Sequence, residues 1–143
     1  MADDHNEVAA AQREVIEEFA FFDDWMDRYQ YLIDLGRQLP PLADTDRIAE
    51  NQIKGCQSQV WFVAESREER LYFQAISDAA IVSGLIALLL RIYSGRRPAD
   101  ILDTPADFVD ALELGKHLSP TRSTGLASML KAIHGFATEA KEA

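Results

Sequence analysis

The sequence predicts an α+β fold, a small antiparallel sheet packed against helices, and three observations carry the prediction. Two short β-branched and aromatic runs lie side by side in mid-chain, Val60-Trp61-Phe62-Val63-Ala64 and Leu71-Tyr72-Phe73-Gln74-Ala75-Ile76. Apolar residues at helical spacing precede and follow them. A nearly continuous apolar stretch, residues 79–90, has the composition of a buried helix. Strands gathered in one region with helices on both sides argue against a βαβ repeat.

Taken in order, residues 1–6 read as a flexible tail. Val8, Val15, Phe19 and Phe22 recur at helical spacing and predict a helix over 7–22. Asp23 or Asp24 caps a second helix with Trp25, Tyr29, Leu32 and Ile33 on one face. Pro40-Pro41 ends it, because proline lacks an amide donor and restricts the residue before it. Ser66-Arg67-Glu68-Glu69 joins the two strands as a hairpin, and a short third strand at 51–54 completes the sheet. Ser77 or Asp78 caps the apolar helix, which Ser94-Gly95 stops. Thr104-Pro105 opens a further helix, with Thr104 as cap and proline at the first helical position, and Gly115 ends it. After Ser119-Pro120 a last helix carries Leu126, Met129, Leu130, Ile133 and Phe136 at core spacing.

At 143 residues, 48% hydrophobic and 27% charged, the chain has the size and composition of one globular domain spanning 1–143, not of a disordered segment. Its formal net charge of -10 repels phosphate backbones and anionic headgroups, so neither nucleic acid nor membrane is expected as a partner. Residues 1–50 hold 13 acidic and 4 basic side chains, a distribution that reads as solvated helix faces. The opening residues lack the basic-then-apolar order of a signal peptide. The longest apolar stretch is broken by Ser83 and Gly84 and falls short of the ~20 residues of a membrane span. With a single cysteine, Cys56, no intrachain disulfide, CxxC pair or multi-thiolate metal site can form, and a reduced cytoplasmic setting is expected.

Nucleotide-binding and hydrolase motifs (GxGxxG, a P-loop, HExxH, GxSxG) do not occur in the sequence. The three histidines, His5, His117 and His134, are scattered through tail, loop and last helix. Asp23-Asp24 reads as a helix cap. Cys56 is the remaining candidate. A lone cysteine in a reduced protein is often a small buried hydrophobe, but Lys54-Gly55-Cys56-Gln57-Ser58-Gln59 is a polar, glycine-containing bend just before a strand. Gly55 lets the backbone turn tightly and bring the sulfur to a loop tip. Lys54 and the amides of the bend would favour the thiolate. The residues alone leave reactive and structural roles for Cys56 both open.

The run Gly55-Cys56-Gln57-Ser58-Gln59-Val60-Trp61 resembles the cysteine motif of the SufE family of sulfur acceptors. Three more segments agree, in the family's order. They are Tyr31-Leu32-Ile33-Asp34-Leu35-Gly36 with Leu39-Pro40, Ser77-Asp78-Ala79-Ala80-Ile81-Val82 with Gly84-Leu85, and His117-Leu118-Ser119-Pro120-Thr121-Arg122-Ser123 with Gly125-Leu126. The resemblance implies a fold similar to that of IscU-type iron–sulfur scaffolds. Those scaffolds use several cysteines where this chain has one, which fits an acceptor.

By the same resemblance, Cys56 would take persulfide sulfur from a SufS-like cysteine desulfurase, stimulate that enzyme, and pass the sulfur to a SufBCD-like scaffold complex. Pyridoxal phosphate would belong to the desulfurase, with no cofactor or metal held by this chain. Arg122 would support the thiolate or persulfide, against the alternative of a first-turn residue facing solvent. Asp78 would flank the cysteine loop, or serve only as a helix cap. Gln57, Ser58 and Gln59 would shape the loop and touch the partner, and Trp61 would help to shelter the sulfur. The alternatives are a CsdE-type acceptor for another desulfurase and a thiol-based redox sensor.

Overall fold

A computed structural model describes residues 6–142, so the predicted tail falls outside the described residues except for Asn6. Asn6 is not frayed. Its side-chain oxygen accepts from the Ala9 amide at 3.0 Å and caps the first helix, α1 (Glu7–Phe19). Its side-chain amide donates to the Thr104 hydroxyl at 2.7 Å. Further along α1, Gln12 is buried, donating to the Pro105 carbonyl and accepting from the Phe108 amide. The helix stops three residues before the predicted end, and Phe22 packs on the Tyr31 ring from the turn beyond it.

Asp24 caps α2 (Trp25–Arg37), accepting from the Asp27 amide at 2.9 Å. Leu32 is fully buried on its inner face, joined by Trp25, Tyr29, Tyr31 and Leu35, while the predicted Ile33 stays out of the core. The chain then passes Pro40-Pro41 and two single 3-10 turns, Asp44–Asp46 and Ala49–Asn51. Strands β1 (Val60–Arg67) and β2 (Arg70–Ser77) pair antiparallel, with Val60 opposite Ser77 and Arg67 opposite Arg70. Glu68 and Glu69 form the two-residue turn, both at positive φ as such hairpins require. Val60, Phe62, Leu71, Phe73 and Ala75 point into the core.

Among the described residues the sheet has two strands, not three. The predicted strand at 51–54 is reduced to one bridge, Gln52 to Trp61, because the Ala49–Asn51 turn leaves only that residue extended alongside β1. Helix α3 (Ala80–Tyr93) forms the centre of the core, burying Leu85, Ile86, Leu88, Leu89, Ile92 and Tyr93. It meets α2 backbone to backbone. A Cβ added at Gly84 would fall on the Leu32 carbonyl, and one at Gly36 would lie 2.7 Å from the Gly84 nitrogen. Across this side of the core Arg91 pairs with Glu18, which also accepts from the Tyr31 hydroxyl.

The region 98–117 differs most from expectation. An unexpected short helix, α4 (Pro98–Asp103), precedes Thr104, and the one helix predicted after Thr104-Pro105 is replaced by two short ones, α5 (Asp107–Ala111) and α6 (Leu114–His117). Thr104 follows α4 instead of opening a helix, because its hydroxyl donates back to the Asp100 carbonyl at 2.7 Å. Gly115 lies inside α6 and ends nothing. His117, expected in a loop, closes α6 and stacks on Trp25 with ring centroids 4.1 Å apart. The last helix, α7 (Pro120–Glu142), runs under the core with Leu126, Met129 and Ile133 buried and Leu130 and Phe136 packed at its flank. Among the described residues no helix is long and apolar enough to cross a membrane.

Candidate functional site

Cys56 sits in the bend between the Ala49–Asn51 turn and β1, and the loop closes over the start of α7. Gly55 makes the bend possible. Its φ is +89°, and a Cβ there would come within 2.5 Å of the Ser128 hydroxyl oxygen. The far end of the loop is tied by Asp78, whose carboxylate accepts from the Gln59 amide at 3.1 Å. The Asp78 amide in turn donates to the Gln59 carbonyl. Asp78 therefore does not cap α3. That position belongs to Ala79, which offers no side-chain bond.

The sulfur is not at an exposed loop tip. Cys56 is half-buried, and its thiol donates to the Gly125 carbonyl of α7 at 3.6 Å. Beside it lies a cavity of about 20 Å³ walled by Cys56, Gln57, Ser58, Val82, Thr121, Arg122, Gly125 and Met129. That volume holds one water-sized atom. Val82 and Met129 supply its apolar side, Arg122 and Thr121 its polar rim. On the solvent side, Gly55, Gln57, Pro120, Thr121 and Thr124 line a shallow hollow of about 350 Å³.

The resting thiol is protonated at neutral pH. Burial pushes its pKa above the ordinary cysteine value, since desolvation disfavours the charged form. The thiolate expected from Lys54 is not favoured here, because the Lys54 side chain is exposed and takes no part in the cavity wall. Trp61, expected as shelter, is also absent from the wall. It lies on β1 opposite Ile76, and Val82 and Met129 cover the sulfur instead.

Of the sequence-predicted residues, Cys56, Gln57, Ser58 and Arg122 meet at one cavity, and Asp78 and Gln59 pair with each other at the loop's end. Arg122 lies in the first turn of α7, where the Ser119 hydroxyl accepts from its amide at 3.3 Å. Its side chain is exposed at the rim and makes no ion pair among the described residues. Sequence reasoning missed Val82, Thr121, Gly125, Ser128 and Met129 as site residues. Val82, Thr121 and Gly125 stand within segments that resemble the family, and Gly125 is also a glycine inside an otherwise amphipathic helix, but neither signal said that these residues meet at the thiol. Among the described residues no cluster of three or more His, Cys, Asp or Glu side chains is arranged for a metal ion.

These features define a class, an α+β domain presenting a single sheltered thiol on a loop with space for one further atom. Residues 13–137 match the family model SufE, described as the Fe-S metabolism associated domain. The chain belongs to the SufE family, which associates it with iron–sulfur metabolism. It is similar to an uncharacterized SufE-like protein of Rhizobium meliloti strain 1021, 42% identical over 125 residues that cover 84% of this chain and 89% of that one. A second uncharacterized SufE-like protein, from Rhizobium etli, is 42% identical over 129 residues, 87% of each chain. The fold is shared with a hypothetical protein of Thermus thermophilus solved in solution. That likeness has a TM-score of 0.77 at 19% identity and covers 93% of this chain and 97% of the other.

Proposed function

We propose that this chain is a sulfur acceptor for iron–sulfur cluster assembly. It takes sulfane sulfur from a SufS-like cysteine desulfurase onto Cys56, stimulates that enzyme, and passes the sulfur to a SufBCD-like scaffold complex. The observation that carries this reading is the half-buried Cys56 thiol set against a cavity with room for one more atom. Membership of the SufE family supports it.

The transfer needs no oxidant or reductant. The Cys56 thiolate attacks the outer sulfur of the donor's persulfide, forming a new S–S bond as the donor's S–S bond breaks, and the donor leaves as a thiolate. The proton lost by Cys56 ends on that donor thiol. With one cysteine in the chain, no internal thiol can attack the product and release its sulfur as sulfide. Arg122 at the rim supplies a positive charge for the persulfide anion, and the apolar wall of Val82 and Met129 keeps stray oxidants and thiols away.

The partner reaches the thiol from the hollow beside Gly55, Gln57 and Thr124, where docking draws the loop off α7 and exposes Cys56. Gln57, Ser58 and Gln59 supply polar contacts to it, and Asp78 sets how readily the loop leaves. The chain acts as one domain and as an accessory to the desulfurase, whose pyridoxal phosphate it does not hold. Alanine release by a cysteine desulfurase tests the reading. Wild-type chain is expected to raise the rate several-fold and Cys56→Ser to leave it unchanged; equal stimulation by both would contradict the proposal.

A further inference from the structure

Gly125 is buried inside α7, and nothing in the fold calls for a glycine there. Its φ is not positive, and glycine in a helix interior is a destabilising choice beside alanine. A Cβ built on it meets a single atom outside its own helix, the Cys56 Sγ at 3.6 Å, an ordinary van der Waals separation. The contrast with Gly84, where a Cβ would collide with the Leu32 backbone, is complete. Gly125 is also one wall of the cavity beside the thiol.

We infer that Gly125 is a specificity-determining residue for the cargo, its missing methyl being the room in which the carried sulfur sits. This rests on the sulfur-carrier reading above. Loading adds one S–S bond of about 2 Å beyond Sγ, and the outer sulfur must lie somewhere other than bulk water. The cavity of about 20 Å³ admits one water-sized atom, and since sulfur is larger than water it admits no second. The loading step is Cys56–SH plus RS–SH giving Cys56–S–SH plus RSH, with one S–S bond formed, one broken and all protons retained. An alanine methyl at 125 fits beside the resting thiol and occupies the space of the incoming sulfur.

The test uses the full chain and glutathione persulfide as donor, read by intact mass, with Gly125→Ala compared against wild type and against Gly135→Ala. Gly135 lies on the same helix and a Cβ there meets nothing within 4 Å. Gly125→Ala is expected to melt at or above the wild-type temperature and to alkylate its unloaded thiol within about twofold of wild type. Its one-sulfur adduct is expected to be stripped by free glutathione about tenfold faster, while Gly135→Ala keeps the wild-type adduct. An adduct on Gly125→Ala as abundant and long-lived as on wild type overturns the inference. So does a marked fall in its melting temperature, an equal change in its free-thiol reactivity, the same loss in Gly135→Ala, or a wild type that takes no sulfur from this donor. A wild type that holds sulfur from the small donor but neither accepts it from nor stimulates a desulfurase would defeat the carrier reading and leave the role of Gly125 standing.

Discussion

Two contacts in this molecule are built on glycine, and they use it for opposite ends. At the α2–α3 crossing Gly36 and Gly84 bring two backbones together, and any side chain at Gly84 runs into Leu32. At the cysteine loop Gly55 lies over Ser128 and the Cys56 thiol meets the Gly125 carbonyl. The first contact joins α2 to α3, the helix that buries Leu85, Ile86, Leu88 and Leu89 in the core, so separating it means unfolding. The second is held by a weak thiol–carbonyl bond, the Gln59–Asp78 pair and a small apolar contact. Segments with few buried contacts open at a fraction of the global cost. The molecule thus combines a locked helix pair with a thiol loop held by far weaker contacts.

Substitutions separate the two contacts, and Gly84→Ala is expected to have the largest effect. Overpacking against backbone is expected to cost about 3 kcal/mol, seen in urea melts, with little change in how fast Cys56 alkylates relative to the folded fraction. Gly55→Ala follows. Its left-handed φ and the Ser128 contact should cost about 1 kcal/mol, most of it falling on the loop, so Cys56 alkylates roughly fivefold faster. Asp78→Ala removes the acceptor for the Gln59 amide and should cost under about 1 kcal/mol. Its alkylation rate should rise by a smaller factor, with the melting temperature nearly unchanged. A large fall in global stability in Asp78→Ala would mean that the loop is part of the core after all.

The smallest effect belongs to the ion pair that ties α1 to α3 and depends on pH. The Arg91 hydrogen bond to Glu18 is the main reason this carboxyl titrates below its ordinary value of 4.5. A depressed carboxylate stabilises the fold above its unfolded pKa and loses that contribution as pH falls through the folded one. Acid melts of Glu18→Gln should therefore show a flatter loss of stability below pH 4.5 than wild type, while the loop's alkylation is unaffected. At the other end of the scale, burial holds the Cys56 thiol above the ordinary range. Its alkylation midpoint should lie higher than that of a free cysteine and move down in Gly55→Ala.

Much of this division was legible before the structure. The hairpin, the apolar α3 and the amphipathic α7 follow from strong periodic patterns, and Asp24 caps α2 as its side chain and position require. Gly55 beside Cys56 marked the bend. What the sequence hid depends on partners distant in the chain. Pro98 opens α4 close behind Ser94-Gly95, and Thr104 resembles a helix start until its hydroxyl is seen bonded back to Asp100. Asp78 likewise resembles a cap, but its partner lies 19 residues earlier at Gln59. The cavity draws its walls from Val82 and from residues 121–129, so a local reading of the cysteine motif found the thiol and left its reactivity open, with Lys54 and the bend on the side of the thiolate. The fold instead buries that sulfur and keeps its proton.

The most direct measurement is the intact mass of the chain after incubation with a cysteine desulfurase, its pyridoxal phosphate and free cysteine. A single addition of about 32 Da, one sulfur atom, is expected on wild type and none on Cys56→Ser. An unmodified wild type, or the same addition on the serine variant, would contradict the account.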